Sequence, residues 1–326
     1  MFLAGYQMER NQCLHFRQAA QSYQLSSPRQ SAMNTSAIPK TNLRTLEADG
    51  IRFFYRETGP ADGPVLLLLH GYPTSSHMFR DLMPRLGTTF RVIAPDLPGF
   101  GFTEVPAERN YQYNFDNLAQ SINAFVETLK LIRYAIYVFD YGAPVGFRLA
   151  VAHPERVSAI VSQNGNAYIA GLGDAWDPIK KYWRDPTPEN RQALREFVSF
   201  DGTRYQYLHG TTDPITIAPE SYWLDSALLN RPGNVDIQLD LFLDYAKNLK
   251  LYSTFQEYFR KYQPPMLAVW GKNDPFFIPP GAEAYRQDIP SAKVLFYDTG
   301  HFALETHVEE ISGEIHSFLT GVLRAK

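Results

Sequence analysis

The sequence predicts an α/β fold: a mostly parallel sheet with helices on both faces and a helical cap inserted late in the chain. Three observations support this. Short apolar runs at 65–69, 91–94, 134–139, 158–162, 266–270 and 293–297 have strand character and alternate with segments of helical period. The runs are apolar almost throughout rather than at every second residue, which suits strands buried on both faces. Between 158–162 and 266–270 the alternation stops, and residues 164–263 become aromatic, proline-interrupted and helical in period.

Each element has its own signal. Leu43 to Ala48 and Ile51 to Arg56 form a hairpin, because Asp49-Gly50 between them supplies the positive φ angles of a two-residue turn. After the strand at 65–69, Thr74-Ser75-Ser76 opens a helix over 75–86, and residues 95–101 are dense in turn formers. Phe115, Leu118, Ile122, Phe125 and Leu129 fall at helical spacing within 114–130. In the cap the pattern predicts helices at 176–184, 188–198, 219–229 and 234–250. Pro188 and Pro219 stand near the first turns of the second and third, and Arg231-Pro232-Gly233 precedes the last. His307 and His316 are expected on the exposed face of a C-terminal helix. The expected organisation is a disordered tail over 1–42, a core made of 43–163 and 264–326, and the cap over 164–263. The tail is polar and without period, and Met33 near its end offers a second possible start of translation.

Composition narrows the function. The chain of 326 residues is long enough for a sizeable core, and its aromatic content of 14% fits an enzyme with a lined cavity. A net charge of −3 and a pI near 6.3 give no reason to expect nucleic acid or an acidic surface as partner, so a small neutral apolar substrate and water are expected. Cys13 is the single cysteine, which excludes an intramolecular disulfide and a thiolate metal cluster. The histidines are scattered, and neither metal nor cofactor is implied. No apolar run is long enough to span a bilayer and none reads as a secretory signal, so a cytoplasmic location is expected.

The chemistry concentrates in four motifs. Residues 134–150 are a strand run that breaks at Asp140-Tyr141-Gly142 and resumes as a helix. Such a sharp strand-to-helix turn is a nucleophile elbow, and here aspartate occupies the position that serine holds in G-x-S-x-G. A carboxylate there suits attack on saturated carbon, leaving an alkyl ester on the protein. The alternative is that Asp140 only caps the following helix. The other motifs are His70-Gly71-Tyr72-Pro73 after the first buried strand, Asn273-Asp274-Pro275 after the strand at 266–270, and Gly300-His301-Phe302 after the strand at 293–297. With these four in this order, residues 43–321 resemble the α/β-hydrolases, and specifically their aspartate-nucleophile branch of epoxide hydrolases and haloalkane dehalogenases.

The resemblance implies a role for each residue. His301 would be the general base that activates water against the ester on Asp140, with Asp274 orienting its ring. The backbone N–H groups of Tyr72 and Tyr141 would form the oxyanion hole, and His70 and Pro73 would be structural. The dehalogenases carry a tryptophan after the nucleophile and commonly an asparagine in the His-Gly turn, both donating N–H to halide; this chain has Tyr141 and Tyr72 there. The epoxide hydrolases place two cap tyrosines over the nucleophile, and Tyr245 and Tyr182 stand nearest to the expected spacing. The resemblance therefore implies hydrolysis of an epoxide to a vicinal diol. Haloalkane dehalogenation with other halide donors, and a ligand receptor on the same fold, remain as alternatives.

Overall fold

The computed structural model describes residues 38–324. The expectations for Cys13, Met33 and the tail as far as residue 37 lie outside the described residues. Eight strands form one sheet: β1 (Asn42–Ala48), β2 (Ile51–Thr58), β3 (Val65–Leu69), β4 (Arg91–Pro95), β5 (Tyr134–Phe139), β6 (Val157–Gln163), β7 (Met266–Gly271) and β8 (Lys293–Tyr297). Their spatial order is β1-β2-β4-β3-β5-β6-β7-β8. β2 runs antiparallel to both neighbours and all other pairs are parallel. The β1–β2 hairpin turns through Asp49 at φ 53° and Gly50 at φ 68°, as the sequence predicts.

Between β3 and β6 come helices α1 (Leu82–Leu86), α2 (Phe115–Thr128) and α3 (Gly142–Ala152). The single helix expected over 75–86 is divided into a 3₁₀ turn at Ser76–Phe79 and then α1. Pro84 explains the division: it has no N–H to bond the carbonyl of Arg80, so it fits the first turn of a new helix and not the interior of a continuous one.

Six helices lie between β6 and β7: α4 (Asp177–Arg184), α5 (Pro188–Ala193), α6 (Arg195–Val198), α7 (Phe200–Leu208), α8 (Pro219–Leu229) and α9 (Asn234–Tyr262). The expected helix at 188–198 divides at Leu194, where tight turns are made by Leu194 N–H to the Arg191 carbonyl (3.1 Å) and Phe197 N–H to the Leu194 carbonyl (3.1 Å). α9 continues well past the expected end at 250, because Tyr252, Phe255 and Phe259 prolong its buried stripe. It stops at Gln263, in the left-handed region at φ 44°, before Pro264-Pro265. α7 is absent from the sequence reading. Its only start signal is Ser199, whose Oγ accepts from Gly202 N–H at 3.0 Å, and Gly202 weakens the helical pattern.

After β7 come α10 (Pro279–Asp288) and α11 (Ala303–Arg324). The two faces of the sheet bury two cores, and the pleat assigns side chains between them. Leu67 and Leu69 pack with α2, α3 and α10, whereas Leu66 and Leu68 pack with α1 and α11. The first core runs on into the inserted helices through Trp176, Phe242 and Tyr245. Polar ties add to this: Arg148 Nη1 donates to Asn248 Oδ1 at 2.7 Å, and Phe115 N–H donates to Asp244 Oδ2 at 2.8 Å.

His307 and His316 are not on an exposed face; both are half-buried. His316 Nε2 lies 2.9 Å from Thr89 Oγ1 and its ring meets Phe90, while His307 packs on Tyr297. Their imidazoles cover apolar rings at the margin of the core, which a sequence period cannot distinguish from a solvated edge. Among the described residues, no helix is long and apolar enough to cross a membrane.

Candidate active site

β5 and α3 place Asp140 at a turn of two residues, with its backbone at φ 49°. A side chain in this left-handed region is held by its surroundings rather than by its own preference. Two glycines make the turn sterically possible. A Cβ on Gly71 would lie 2.3 Å from Asp140 Oδ1, and one on Gly142 would lie 2.1 Å from the Leu69 carbonyl oxygen.

Asp140 is 5% exposed, and its two carboxylate oxygens have different surroundings. Oδ1 accepts the backbone N–H of Tyr72 and that of Tyr141, each at 2.6 Å. Oδ2 faces Nε2 of His301 at 3.9 Å, too far for a direct hydrogen bond. Neither side-chain oxygen bonds an N–H further along α3, so the helix-capping alternative does not describe this residue.

His301 follows β8 and is 1% exposed. Its Nδ1 lies 2.7 Å from Asp274 Oδ2. That pairing fixes Nδ1 as the donor and leaves Nε2, which has no partner, as the basic nitrogen turned toward Asp140. Asp274 is held in turn by Phe276 N–H on Oδ1 at 2.8 Å and by Asn164 Nδ2 on Oδ2 at 2.8 Å. Asn164 also accepts Gly271 N–H at 2.9 Å, so one buried amide joins the end of β6 to the turn after β7. Sequence reasoning missed it. Its one signal was an Asn-Gly pair at a strand end, which by itself says only turn.

Burial pushes the Asp140 carboxyl up to about 6, against the lowering effects of His301 and the two N–H donors. For His301 burial acts downward, but the Asp274 carboxylate outweighs it and the ring lies above its ordinary value. His70 is neutral and structural: its Nδ1 donates to the Gly71 carbonyl at 3.0 Å and its Nε2 accepts Leu97 N–H at 2.9 Å.

Above Asp140 is a small cavity of about 20 Å³, enough for about one water. Ile179, Phe197, Phe242 and Phe276 give it an apolar wall, and Tyr72, Tyr141, Trp176 and Gln206 complete the lining. The indole N–H of Trp176 is engaged by the Phe276 carbonyl at 3.1 Å, so this wall has no free indole donor. Phe197 and Phe276 also border an outer apolar pocket with Tyr205, which opens toward the surface beside Glu196 and Asp201.

Neither expected cap tyrosine lines this cavity. Tyr182 is turned the other way, its hydroxyl accepting from Arg191 Nη1 at 3.3 Å. The physical reason is the adjacent charge: Arg191 bridges to Asp240 and Asp236 and holds the buried phenol on its own side of the helices. Tyr245 lies behind the wall, its ring packed on Trp176 at 4.5 Å and on Tyr141 at 5.7 Å between centroids. Its hydroxyl lies 3.5 Å from that of Tyr252.

A carboxylate with one oxygen clamped and one free, beside an imidazole with its basic nitrogen unpartnered, can attack an electrophilic carbon and then have its ester cleaved by water. The alpha/beta hydrolase fold family matches residues 64–308. The chain belongs to that family. Within it, this hydrolase is 50% identical over 273 residues to an uncharacterised hydrolase of Saccharomyces cerevisiae, covering 82% of this chain and 93% of the yeast one. It is 27% identical over 256 residues to epoxide hydrolase 2 of Caenorhabditis elegans, covering 74% and 69%. A haloalkane dehalogenase of Mycobacterium marinum is 37% identical over 116 residues, only 35% of this chain and 39% of that protein. In three dimensions the fold matches the crystal structure of the haloalkane dehalogenase DbeA of Bradyrhizobium elkani with a TM-score of 0.74 at 21% identity, covering 88% of this chain and all 100% of that one. The chain is thus similar to members of both the epoxide hydrolases and the haloalkane dehalogenases.

Proposed function

We propose that the protein hydrolyses epoxides to vicinal diols through an alkyl ester on Asp140. The observation that carries the two-step chemistry is the inequivalence of the two Asp140 oxygens. Oδ2 attacks a ring carbon while Oδ1 stays on the Tyr72 and Tyr141 N–H groups. The ester carbonyl then already occupies the oxyanion hole. His301 Nε2, without a partner and 3.9 Å from Oδ2, is the base that would take the proton of a water attacking the ester carbon. Asp274 favours the imidazolium that results.

Epoxide is favoured over haloalkane by the lining of the cavity. A departing halide is stabilised by N–H donors, whereas Trp176 gives its indole N–H to a backbone carbonyl and tyrosines stand in both motif positions where dehalogenases carry donors. An epoxide oxygen leaves as a strong base and needs a proton, and Tyr141, whose hydroxyl is an acid, lines the cavity. The apolar wall suits a small neutral substrate.

The test is a single turnover in heavy-oxygen water with terminal epoxides, haloalkanes and simple esters as candidates. Label is expected in the Asp140 carboxylate, because water attacks the ester carbonyl and not the substrate. His301→Gln is expected to form the adduct and stop there, visible by intact mass. Label confined to the product would refute the covalent route. Halide release without epoxide turnover would move the assignment to the dehalogenases, and absence of any adduct would favour a receptor.

A further inference from the structure

The proposed reaction needs a group to receive the ring oxygen as its bond to carbon breaks, and the two cap tyrosines do not reach the cavity. Two other side chains in its lining have polar atoms that are buried and without a hydrogen-bond partner: the Tyr141 hydroxyl and Gln206 Nε2. Such atoms are costly unless a ligand completes them. Tyr141 is 1% exposed and Gln206 4% exposed.

Gln206 is delivered by α7, the helix missed in the sequence. Asp201, Gly202 and Tyr205 line the outer pocket from that helix, and Gln206, four residues after Gly202, lines the inner cavity. One helix face thus borders both compartments. Gln206 Nε2 stands beside the Tyr72 hydroxyl, which donates to the Phe197 carbonyl at 2.6 Å and can accept one of the two Gln206 N–H groups, leaving the other for the cavity. Tyr141 is held by edge contacts with Phe115 and Phe100, so its ring has little freedom.

We infer that Tyr141 and Gln206 form the donor pair for the leaving oxygen, with Tyr141 supplying the proton and Gln206 a second hydrogen bond. The inference deepens the epoxide hydrolase reading and rests on it. In the first step a bond forms between Asp140 Oδ2 and the ring carbon. The carbon–oxygen bond breaks, and the oxygen keeps the electron pair and takes the proton of the Tyr141 hydroxyl. In the second step water adds to the ester carbonyl and His301 takes its proton. The ester carbon–oxygen bond breaks, the departing alkoxide takes the second water proton from the new Asp140 carboxyl as the diol leaves, and the proton on His301 returns to the Tyr141 phenolate, so one water is consumed and the enzyme is restored. Burial and the Asp140 charge push the phenol well above its usual range, which keeps it protonated until an alkoxide forms beside it.

The experiment uses the His301→Gln protein, in which only the first step proceeds, and follows adduct formation on Asp140 by mass with 1,2-epoxyhexane and with 1-bromohexane. Tyr141→Phe keeps the backbone N–H, and Gln206→Met keeps the length of the side chain. Each is expected to slow alkylation by the epoxide by about tenfold or more, and by the bromide less than about threefold, because bromide leaves as a weak base. Gln206→Asn, which retains an amide, is expected to recover part of the epoxide rate. A purely structural role would slow both electrophiles alike, and that result, or an unchanged epoxide rate, overturns the inference while leaving the covalent reading intact. If the protein with native Tyr141 and Gln206 takes up bromide alone or neither electrophile, the epoxide reading fails and the inference with it.

Discussion

The acid limb of the first step is expected near pH 6. Only ionised Asp140 can attack, and burial places its carboxyl at about 6 instead of the ordinary aspartate range. The ionised fraction would be about 91% at pH 7 and about 9% at pH 5, a fall of about tenfold. Proximity to His301 lowers the Asp140 value, so replacing the imidazole removes a stabilising partner of the carboxylate. His301→Gln should therefore alkylate with a limb moved to higher pH. The second step requires neutral His301, whose value is raised, so full turnover is lost on the same acidic side and both groups favour activity above neutrality. The assay is single-turnover alkylation, quenched and read by intact mass between pH 4.5 and 9, with the native enzyme and the variant. A limb at the ordinary aspartate position, or one that does not move on His301→Gln, would refute the reasoning.

Asn164→Ala removes a donor to Asp274 and orphans the buried Gly271 N–H, and is expected to slow ester hydrolysis by about tenfold while alkylation stays within about twofold, measured by burst kinetics. Tyr245→Phe is expected to leave epoxide turnover within about threefold of native, because its hydroxyl faces Tyr252 behind the wall; a larger loss in kcat would restore it to the reacting atoms. Asp225, buried under Tyr207, has its carboxyl pushed up to about 8, chiefly by burial and further by Glu305 and Asp96, against hydrogen bonds from Tyr207 and Thr74. Its folded value lies above its unfolded one, so its contribution to stability is complete below about pH 4 and is lost as pH rises through about 8. Melting curves from pH 5 to 9 should accordingly show native protein losing a few degrees relative to Asp225→Asn, and parallel curves would contradict this.

The sheet was legible because burial on both faces writes itself as unbroken apolar runs, and β3, β5 and β7 begin and end within a residue of their runs. The line of Asp140, His301 and Asp274 was legible because each sits at a strand end marked by a turn. The helices between β6 and β7 were legible only as a region. Whether a tyrosine points into a cavity depends on its neighbours across helices: Arg191 captured Tyr182, and Trp176 and Tyr141 screened Tyr245. Gln206 offered no signal at all, because an isolated glutamine is ordinary on any helix and becomes singular only when packing leaves its amide buried and unpaired.

The backbone clamp on Asp140 gives the residue an isotopic memory. In each proposed cycle the oxygen that bonded substrate departs with the product and is replaced from solvent, while the partner fixed by the Tyr72 and Tyr141 N–H groups is carried over unchanged. Over many turnovers in heavy-oxygen water the carboxylate should approach a single exchanged atom rather than two. Any slow approach to double exchange would then time the rotation of the carboxylate about its Cβ–Cγ bond, a clock for how rigidly the elbow grips its own side chain.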